Sequence, residues 1–498
     1  MRFFPLLISL LFLLSPYGNS QSEIDVPQSL VEREPIEIIG NENFTHENGV
    51  VSGSGTAEDP YIIGGFLITI NASAPQCAIY VENTTAYFVI TNVRIICEGS
   101  SEAIYFKVGC MFINVTHGRI EFTEIEKPTS GITVENSTDI CFSYIKINEN
   151  SHIGMAIGIW GCENIIIQNS TVVNSTGFRT VYVRDSTNIS FKENNFDHYL
   201  HPLHIVASSN VEFVENKFFC YNSSWDPPIY AVVLNNTTQC SIWLNEFYFC
   251  GVYASNGSKQ NRIFANTFWK TKNTTQNCND FSSENSWCYQ GIGNFWYPTE
   301  IADNDLDGIG DTPYPIDNDT FDYFPVLSIP LIRHTPPEEV PTNLSVEVID
   351  VRGGGIAEVV LNYRFNLSEN FSQKEMEFIN GSSCWGTYTS STISLPTNAS
   401  VFQYFFTAKN IYGNVSTTKI YERELALRPA PPRNLSVSNE KGEVMIKWSQ
   451  PSNTSFPLLS YHIYRGLSPG TENLYATVNA STTTFTDTNV SFGVTYYY

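Results

Sequence analysis

Short alternating runs of apolar and polar residues, broken by Asn, Ser, Thr and Gly, fill the first part of the chain. In Ile189-Ser-Phe191 and Val211-Glu-Phe213 the alternation has period two, which predicts strands that turn their apolar side chains to one face. Aligned by this pattern, GITVENSTDICFSYIKI from Gly131, AIGIWGCENIIIQNSTV from Ala156, TVYVRDSTNISFKENNF from Thr180 and PLHIVASSNVEFVENKF from Pro202 are copies of one unit. YAVVLNNTTQCSIWLNEF from Tyr230 and GVYASNGSKQNRIFANTF from Gly251 continue it. The last apolar residue of each unit falls at Ile95, Ile120, Ile147, Val172, Phe196, Phe218, Phe247, Phe268 and Trp296, in steps of 21 to 29 residues. Such a period marks a solenoid, in which each unit buries its apolar face against its neighbours. Short strands broken by turns, without leucine-rich spacing, predict a right-handed parallel β-helix. Ile189, Phe191, Phe196, Val211, Phe213 and Phe218 are expected to point into its core.

Two polar columns run through the repeat: Asp139, Asn164, Asn188 and Asn210, then Asn194, Asn216, Asn245, Asn266 and Asn294. Stacked at about 4.8 Å, such amides hydrogen-bond from coil to coil, so their expected role is structural. An open solenoid end exposes strand edges and needs a cap, which residues 21–75 are expected to supply. The β-helix with a C-terminal acidic loop is placed at 76–330. Pro336, Pro337 and Pro341 read as a linker, and strand patterns follow it at 336–426. Pro429, Pro431 and Pro432 open a last unit at 429–498. The whole reading is all-β: a β-helix followed by two β-sandwich domains.

The first residues, MRFFPLLISLLFLLSPYGNSQS, pair Arg2 with an apolar run and small residues near a cleavage point. That is the pattern of a secretory signal peptide at 1–20, and it predicts a secreted, cell-surface protein. No later stretch reaches the roughly 18 apolar residues of a membrane span. With 27 Lys+Arg against 50 Asp+Glu the net charge is −23, which disfavours nucleic acid as a partner. About two dozen Asn-x-Ser/Thr sequons, Asn43, Asn83, Asn136, Asn222, Asn343 and Asn453 among them, fit a glycosylated exterior. Eleven cysteines leave at least one thiol unpaired within the chain, and structural disulfides are expected around Cys220 with Cys250 and Cys278 with Cys288.

The entry SGSGTAEDPYIIGG, the Asn-punctuated coils and the exit GIGNFWYPTEIADNDLDGIGDTPYPIDNDTFDYFPV resemble the NosD-type β-helix proteins. Repeats of that kind are grouped as carbohydrate-binding and sugar-hydrolase domains and are common on archaeal surfaces. NosD itself serves nitrous-oxide reductase maturation and is often labelled copper-binding, but this chain has no His/Met/Cys column that would carry such a role over. Residues 342–424 resemble the Ig-like modules of surface proteins at Tyr363, Met376, Gly386, Tyr388, Tyr404, Ala408, Gly413 and Asn414. NLSVSNEKGEVMIKWSQP, YHIYRG and GVTYYY resemble fibronectin type III, with Trp448 as its core Trp and Tyr496 or Tyr498 as its tyrosine corner. The last unit stops inside its sixth strand, which predicts that the chain is a fragment of a longer protein.

Asp303, Asp305, Asp307 and Gly308, with Asp311, match the start of an EF-hand-like calcium loop. Tyr314 stands where the bidentate Glu belongs, so the reading is open between a structural calcium site and a plain acidic turn. His198, His201 and His204 with Asp197 offer metal ligands, although Pro202 interrupts them; coil-corner surface histidines are the alternative. Glu193 and Glu215 occupy one repeat position a coil apart, a separation that suits a retaining glycosidase pair as well as a solvated outer face. Trp160, Trp225, Trp243 and Trp269 are candidates for stacking on sugar rings. Three functions compete: a non-catalytic adhesion or surface-layer protein that binds glycan or neighbouring surface proteins, an extracellular polysaccharide hydrolase or lyase, and a NosD-like metal-delivery accessory protein.

Overall fold

Many corners of the solenoid are turned by a two-residue device. The first residue takes the left-handed conformation, as Asp185 (φ 51°) and Glu193 (φ 55°) do, and the next buries a small polar side chain. Ser186 accepts a hydrogen bond from the Cys162 N–H of the preceding coil at 3.1 Å and donates to the Arg184 carbonyl at 2.8 Å. A left-handed non-glycine residue costs on the order of 1–2 kcal/mol, and the coil-to-coil bonds at the corner offset that cost.

The computed structural model describes residues 29–498 apart from 72–75, 99–106, 149–153, 176–178, 199–202, 221–229, 256, 270–277, 283, 338–342, 397–398, 426–430, 441 and 452–457. The expected signal peptide, His201 and Trp225 lie outside the described residues, as does the His198 side chain. The coil around residue 190 is typical. Strand Arg179–Arg184 lies in a ten-stranded sheet, and strands Thr187–Lys192 and Asn195–His198 lie in a seventeen-stranded sheet that bends through the other two faces. Solenoid strands pair in parallel with the same strand one coil on, for example Ile189 with Val211 and Phe196 with Phe218.

The buried asparagine column forms as expected. The main-chain N–H groups of Asn194, Asn216, Asn245 and Asn266 donate to the Oδ1 of the next member at 2.9–3.1 Å. Each Nδ2 reaches back as well; Asn216 donates to the Phe191 carbonyl and Asn266 to the Ile242 carbonyl, both at 2.8 Å. The exposed column pairs too, with Asn164 on Asp139, Asn188 on Asn164 and Asn210 on Asn188 at 2.6–3.1 Å.

Inside, Phe196, Phe218, Phe247, Phe268, Trp296 and Tyr314 stack in one file with centroids 4.4–5.4 Å apart. All six residues expected to point inward are at most 1% exposed. One register differs from expectation: the partner of Ile95 is Ile125, whereas Ile120 pairs with Ile90. Phe122, left-handed at φ 49°, lies between Ile120 and Ile125 and resets the alternation, so both isoleucines face the core. At the N-terminal end, strands Ile36–Ile39 and Tyr61–Ile70 already pair in parallel with the next coil, and Phe44 folds over that end to stack on Tyr61 at 4.8 Å. The segment expected as a cap thus supplies the first coil as well.

The two C-terminal units are β-sandwiches. The first sets strands Leu331–Arg333, Ser345–Ile349, Trp385–Thr389 and Glu377–Gly381 against a sheet built on Ile356–Phe365 and Val401–Asn410. Leu331–Arg333 pairs antiparallel with Ser345–Ile349, so Pro336 and Pro337 fall between two strands of this sandwich and are not a linker in front of it; Pro341 lies outside the described residues. The second sandwich buries Trp448 with Ile446, Tyr461 and Ile463, and the Tyr496 hydroxyl accepts from the Ser491 N–H at 3.3 Å. All eleven cysteines carry free thiols, so the expected Cys220–Cys250 and Cys278–Cys288 bridges are not formed. Cys220, Cys250 and Cys278 are at most 3% exposed and pack in the core as small apolar side chains.

Two stability predictions follow from this packing. Phe213→Ala should lower the unfolding free energy by about 3–5 kcal/mol, because Phe191 stacked on one side and Ile242 in register on the other hold the void open; a chemical denaturation series measures it. The second concerns Asp322, which ends the asparagine ladder. It accepts from the Asn294 N–H at 2.7 Å, Trp296 Nε1 at 2.9 Å and the Phe324 N–H at 3.2 Å. Burial pushes its carboxyl from the ordinary 3.8 up to about 7, against the pull of those donors. Between these values the folded chain holds a proton that the unfolded chain has lost, so stability falls as pH rises from about 4 to about 7 and is level above. The melting temperature of the native chain should therefore drop across that window, and Asp322→Asn should flatten the drop. Equal slopes for both proteins would contradict the assignment.

Candidate functional site

Side chains on the outer surface of the solenoid repeat at the coil spacing, so a column of like residues forms wherever one repeat position keeps its chemistry. Another column, of unlike residues, is Asn195, Lys217, Glu246 and Thr267, which the strand register aligns. Glu246 is 1% exposed. Its Oε1 lies 3.4 Å from Lys217 Nζ and its Oε2 lies 3.5 Å from Arg352 Nε. Oε2 also accepts from the Tyr248 hydroxyl at 2.6 Å and from Trp269 Nε1 at 3.4 Å.

Arg352 belongs to the first sandwich. Its guanidinium lies over the Tyr412 ring at 4.4 Å and the Trp269 ring at 5.2 Å, and Lys217 Nζ donates to the Tyr412 hydroxyl at 3.2 Å. Around this pair Val214, Leu244, Phe264 and Ala265 of the solenoid bury against Ile349, Val351 and Cys384 of the sandwich. A carboxylate so deeply buried and paired is an anchor: removing Glu246 leaves two neighbouring cations without their counter-charge. The arrangement therefore fastens the sandwich to the solenoid. Sequence reasoning missed this joint; its one signal is Arg352 ahead of three glycines in a turn, and nothing local to Glu246 predicts its partner about a hundred residues on.

The carboxyl pair expected at Glu193 and Glu215 does form, at successive left-handed corners. Burial raises the Glu215 carboxyl above its ordinary 4.5; Lys192 opposes this, the neighbouring Glu193 adds to it, and the Cys384 thiol touches the group. The sandwich turn lies directly on this corner, since a Cβ at Gly353 would sit 2.9 Å from the Leu244 carbonyl and 3.7 Å from the Glu215 Cα. A retaining pair needs its carboxyls about 5–5.5 Å apart with the sugar between them; here Glu215 touches Glu193 and lies under a protein roof, while Glu193 itself stays exposed.

The tryptophans separate by surroundings. Trp243 packs edge-on to Trp385 at 6.0 Å and Trp269 lies beneath Arg352, so the sandwich covers both. Trp160 remains half-buried on the outer face of the ten-stranded sheet, 6.0 Å from Tyr182. His198 ends a strand of the seventeen-stranded sheet while His204 lies in the ten-stranded sheet beside Tyr182, so the two histidines belong to different sheets.

In the acidic loop, ligand atoms of Asp303, Asp305 and Asp307 lie within 4.8 Å of one another. Asp311 turns away and accepts from the Asn304 N–H at 2.8 Å and from its side-chain amide. The structure thus gathers three of the four expected ligands. Burial raises the Asp307 carboxyl above its ordinary range, and Asp305 and Asp303 add to the shift. Lys419 of the sandwich donates to the Asp305 carbonyl at 3.2 Å, which ties this loop to the same joint.

With coils, corners and joint described, the class is that of a parallel β-helix protein carrying β-sandwich modules. No family model matches the chain, and no curated protein matches it. Among solved structures it is similar to an alginate lyase from Paenibacillus sp. strain FPU-7, with 11% identity over 53% of this chain and 96% of that one and a TM-score of 0.36. It is also similar to WceF of Pantoea stewartii, a glycan biofilm modifying enzyme with a tailspike-like parallel β-helix fold, with 8% identity over 90% of this chain and 67% of that one and a TM-score of 0.26. No helix among the described residues is long and apolar enough to cross a membrane.

The calcium expected in the acidic loop has a direct test. A bound ion at 10 to 100 times its Kd should add about 1.4–2.7 kcal/mol to the stability. Thermal melting in millimolar calcium against chelator should show this gain for the native chain, and Asp305→Asn with Asp307→Asn should lose it. An equal calcium response in both proteins makes the loop a plain turn.

Proposed function

We propose that this protein is a secreted, cell-surface glycan-binding protein in which the solenoid holds the ligand and the sandwiches act as fixed spacers. One observation carries the reading: the buried outer-surface carboxylates are engaged in holding the first sandwich. Glu246 is neutralised by Lys217 and Arg352, and Glu215 is roofed by Cys384 and Gly353. Among the described residues, the outer face of the ten-stranded sheet takes no part in these contacts. The two terminal motifs support the NosD-type resemblance, because the entry leads into strand Tyr61–Ile70 and the exit supplies Trp296, Tyr314 and Asp322 to close the core. The core positions of Tyr388, Tyr404 and Trp448 support Ig-like and fibronectin type III readings of the sandwiches.

A second reading, an extracellular polysaccharide hydrolase or lyase, is favoured by the contact of Glu193 with Glu215 and the raised Glu215 carboxyl. The two readings separate in one assay on the full chain. Affinity electrophoresis through gels containing soluble polysaccharides is expected to retard the protein, with no new reducing ends in the polymer. Product release by the native chain that is lost in Glu215→Gln would replace binding with catalysis. Absence of both retardation and product would remove glycan as the ligand.

A further inference from the structure

Among the described residues, the ten-stranded sheet has an outer face that the sandwich contacts leave alone, since Val214, Lys217, Leu244, Glu246, Phe264 and Trp269 all belong to the other sheet or its corners. Two outward columns cross it. Strand register aligns Met111, Thr133, Gly158, Tyr182 and His204 in one, and Ile113, Glu135, Trp160, Arg184 and Val206 in the other.

Gly158 stands out in the first column. A glycine in a strand interior weakens it and marks a close approach. The approach here is made by Trp160, whose indole reaches back along its own strand: a Cβ on Gly158 would meet its Cη2 at 2.1 Å and Cζ3 at 2.4 Å. The φ of Gly158 is not in the left-handed region, so the glycine answers to the indole and not to the backbone. The ring is seated on the sheet beside Tyr182 and is only half-buried.

From Met111 to Val206 these columns carry two charged residues, Glu135 and Arg184, of opposite sign, on a chain of net charge −23. A polyanion would meet the repulsion of the whole protein and no basic groove. A neutral glycan meets neither obstacle. Its apolar ring faces suit an aromatic surface, its hydroxyls suit Tyr and His, and the coil rise of about 4.8 Å sets successive residues along the solenoid axis.

We infer that the outer face of the ten-stranded sheet, centred on Trp160 seated over Gly158 and on Tyr182, binds a neutral polysaccharide lying across the coils. This rests on the glycan-binding reading and gives it a place and a ligand class. The experiment titrates the full chain by calorimetry with cellohexaose, laminarihexaose, mannohexaose and chitohexaose, and with alginate and polygalacturonate oligomers as the acidic counterparts. At least one neutral hexamer should bind, and the acidic oligomers should not. Trp160→Ala and Gly158→Ala, which displaces the indole without removing it, should each weaken binding about tenfold or more. Phe122→Ala, at an exposed aromatic on another corner, should bind as the native chain does, and thermal melting confirms that each variant is folded. Native-like binding by folded Trp160→Ala and Tyr182→Ala overturns the site while leaving glycan binding intact. Binding of the acidic oligomers alone overturns the ligand class. Silence toward every oligomer removes the inference together with the reading beneath it.

Discussion

Buried main-chain groups at the coil corners need partners, and the ladder from Ser170 through Asn194, Asn216, Asn245, Asn266 and Asn294 to Asp322 supplies them. A turn in the interior of a stack cannot reach water, so each unpaired N–H there would cost about 1–3 kcal/mol. An asparagine meets this need with both ends of one amide, accepting at Oδ1 and donating at Nδ2 to the coil before. Asp322 fits the last rung because there only acceptors are required: four donors from Asn294, Trp296 and Phe324 converge on it and no further coil asks for an N–H in return. A left-handed residue stands ahead of the rungs at Asn194, Asn216, Asn245 and Asn266, which is why Glu193, Glu215, Leu244 and Ala265 all tolerate positive φ.

That corner column also decides what the outside of the molecule is for. Its members point away from the core, so their chemistry is free to vary: Phe122 and Tyr144 stack on each other at 5.0 Å, Glu193 and Glu215 pair, and Leu244 and Ala265 turn apolar. The apolar end is where the first sandwich docks, with Gly353 against Leu244 and Arg352 reaching Glu246. Docking therefore covers the C-terminal end of that side, while Phe122 and Tyr144 stay exposed, and among the described residues no sandwich contact falls on the ten-stranded sheet. Fold and proposed function are joined by this division of faces, and the titratable groups that first suggest catalysis lie on the docking side.

The repeat, the two polar columns and the inward phenylalanines were legible in the sequence because the coil stacks like on like, so a local pattern recurs at a fixed distance. The Ile120 register failed for the complementary reason: a left-handed Phe122 resets strand parity, and left-handedness is not visible at a phenylalanine. Asp311 looked like a fourth ligand by spacing, yet the Asn304 N–H and side-chain amide claim it. Cys220 and Cys250 looked like a bridge because they recur near one position, whereas recurrence inside a solenoid also means stacked core residues. The Glu246–Arg352 joint was beyond reach, since it depends on how a separate sandwich settles on the stack.

The central claim is that the solenoid binds glycan on the face its sandwich leaves open. A crystal structure of the full chain grown with a bound neutral hexasaccharide tests it most directly. The account predicts sugar rings along the outer face of the ten-stranded sheet, in contact with Trp160 and Tyr182 and running across the coils. Sugar density at the Glu193–Glu215 corner, or on the sandwiches with that sheet bare, would contradict it.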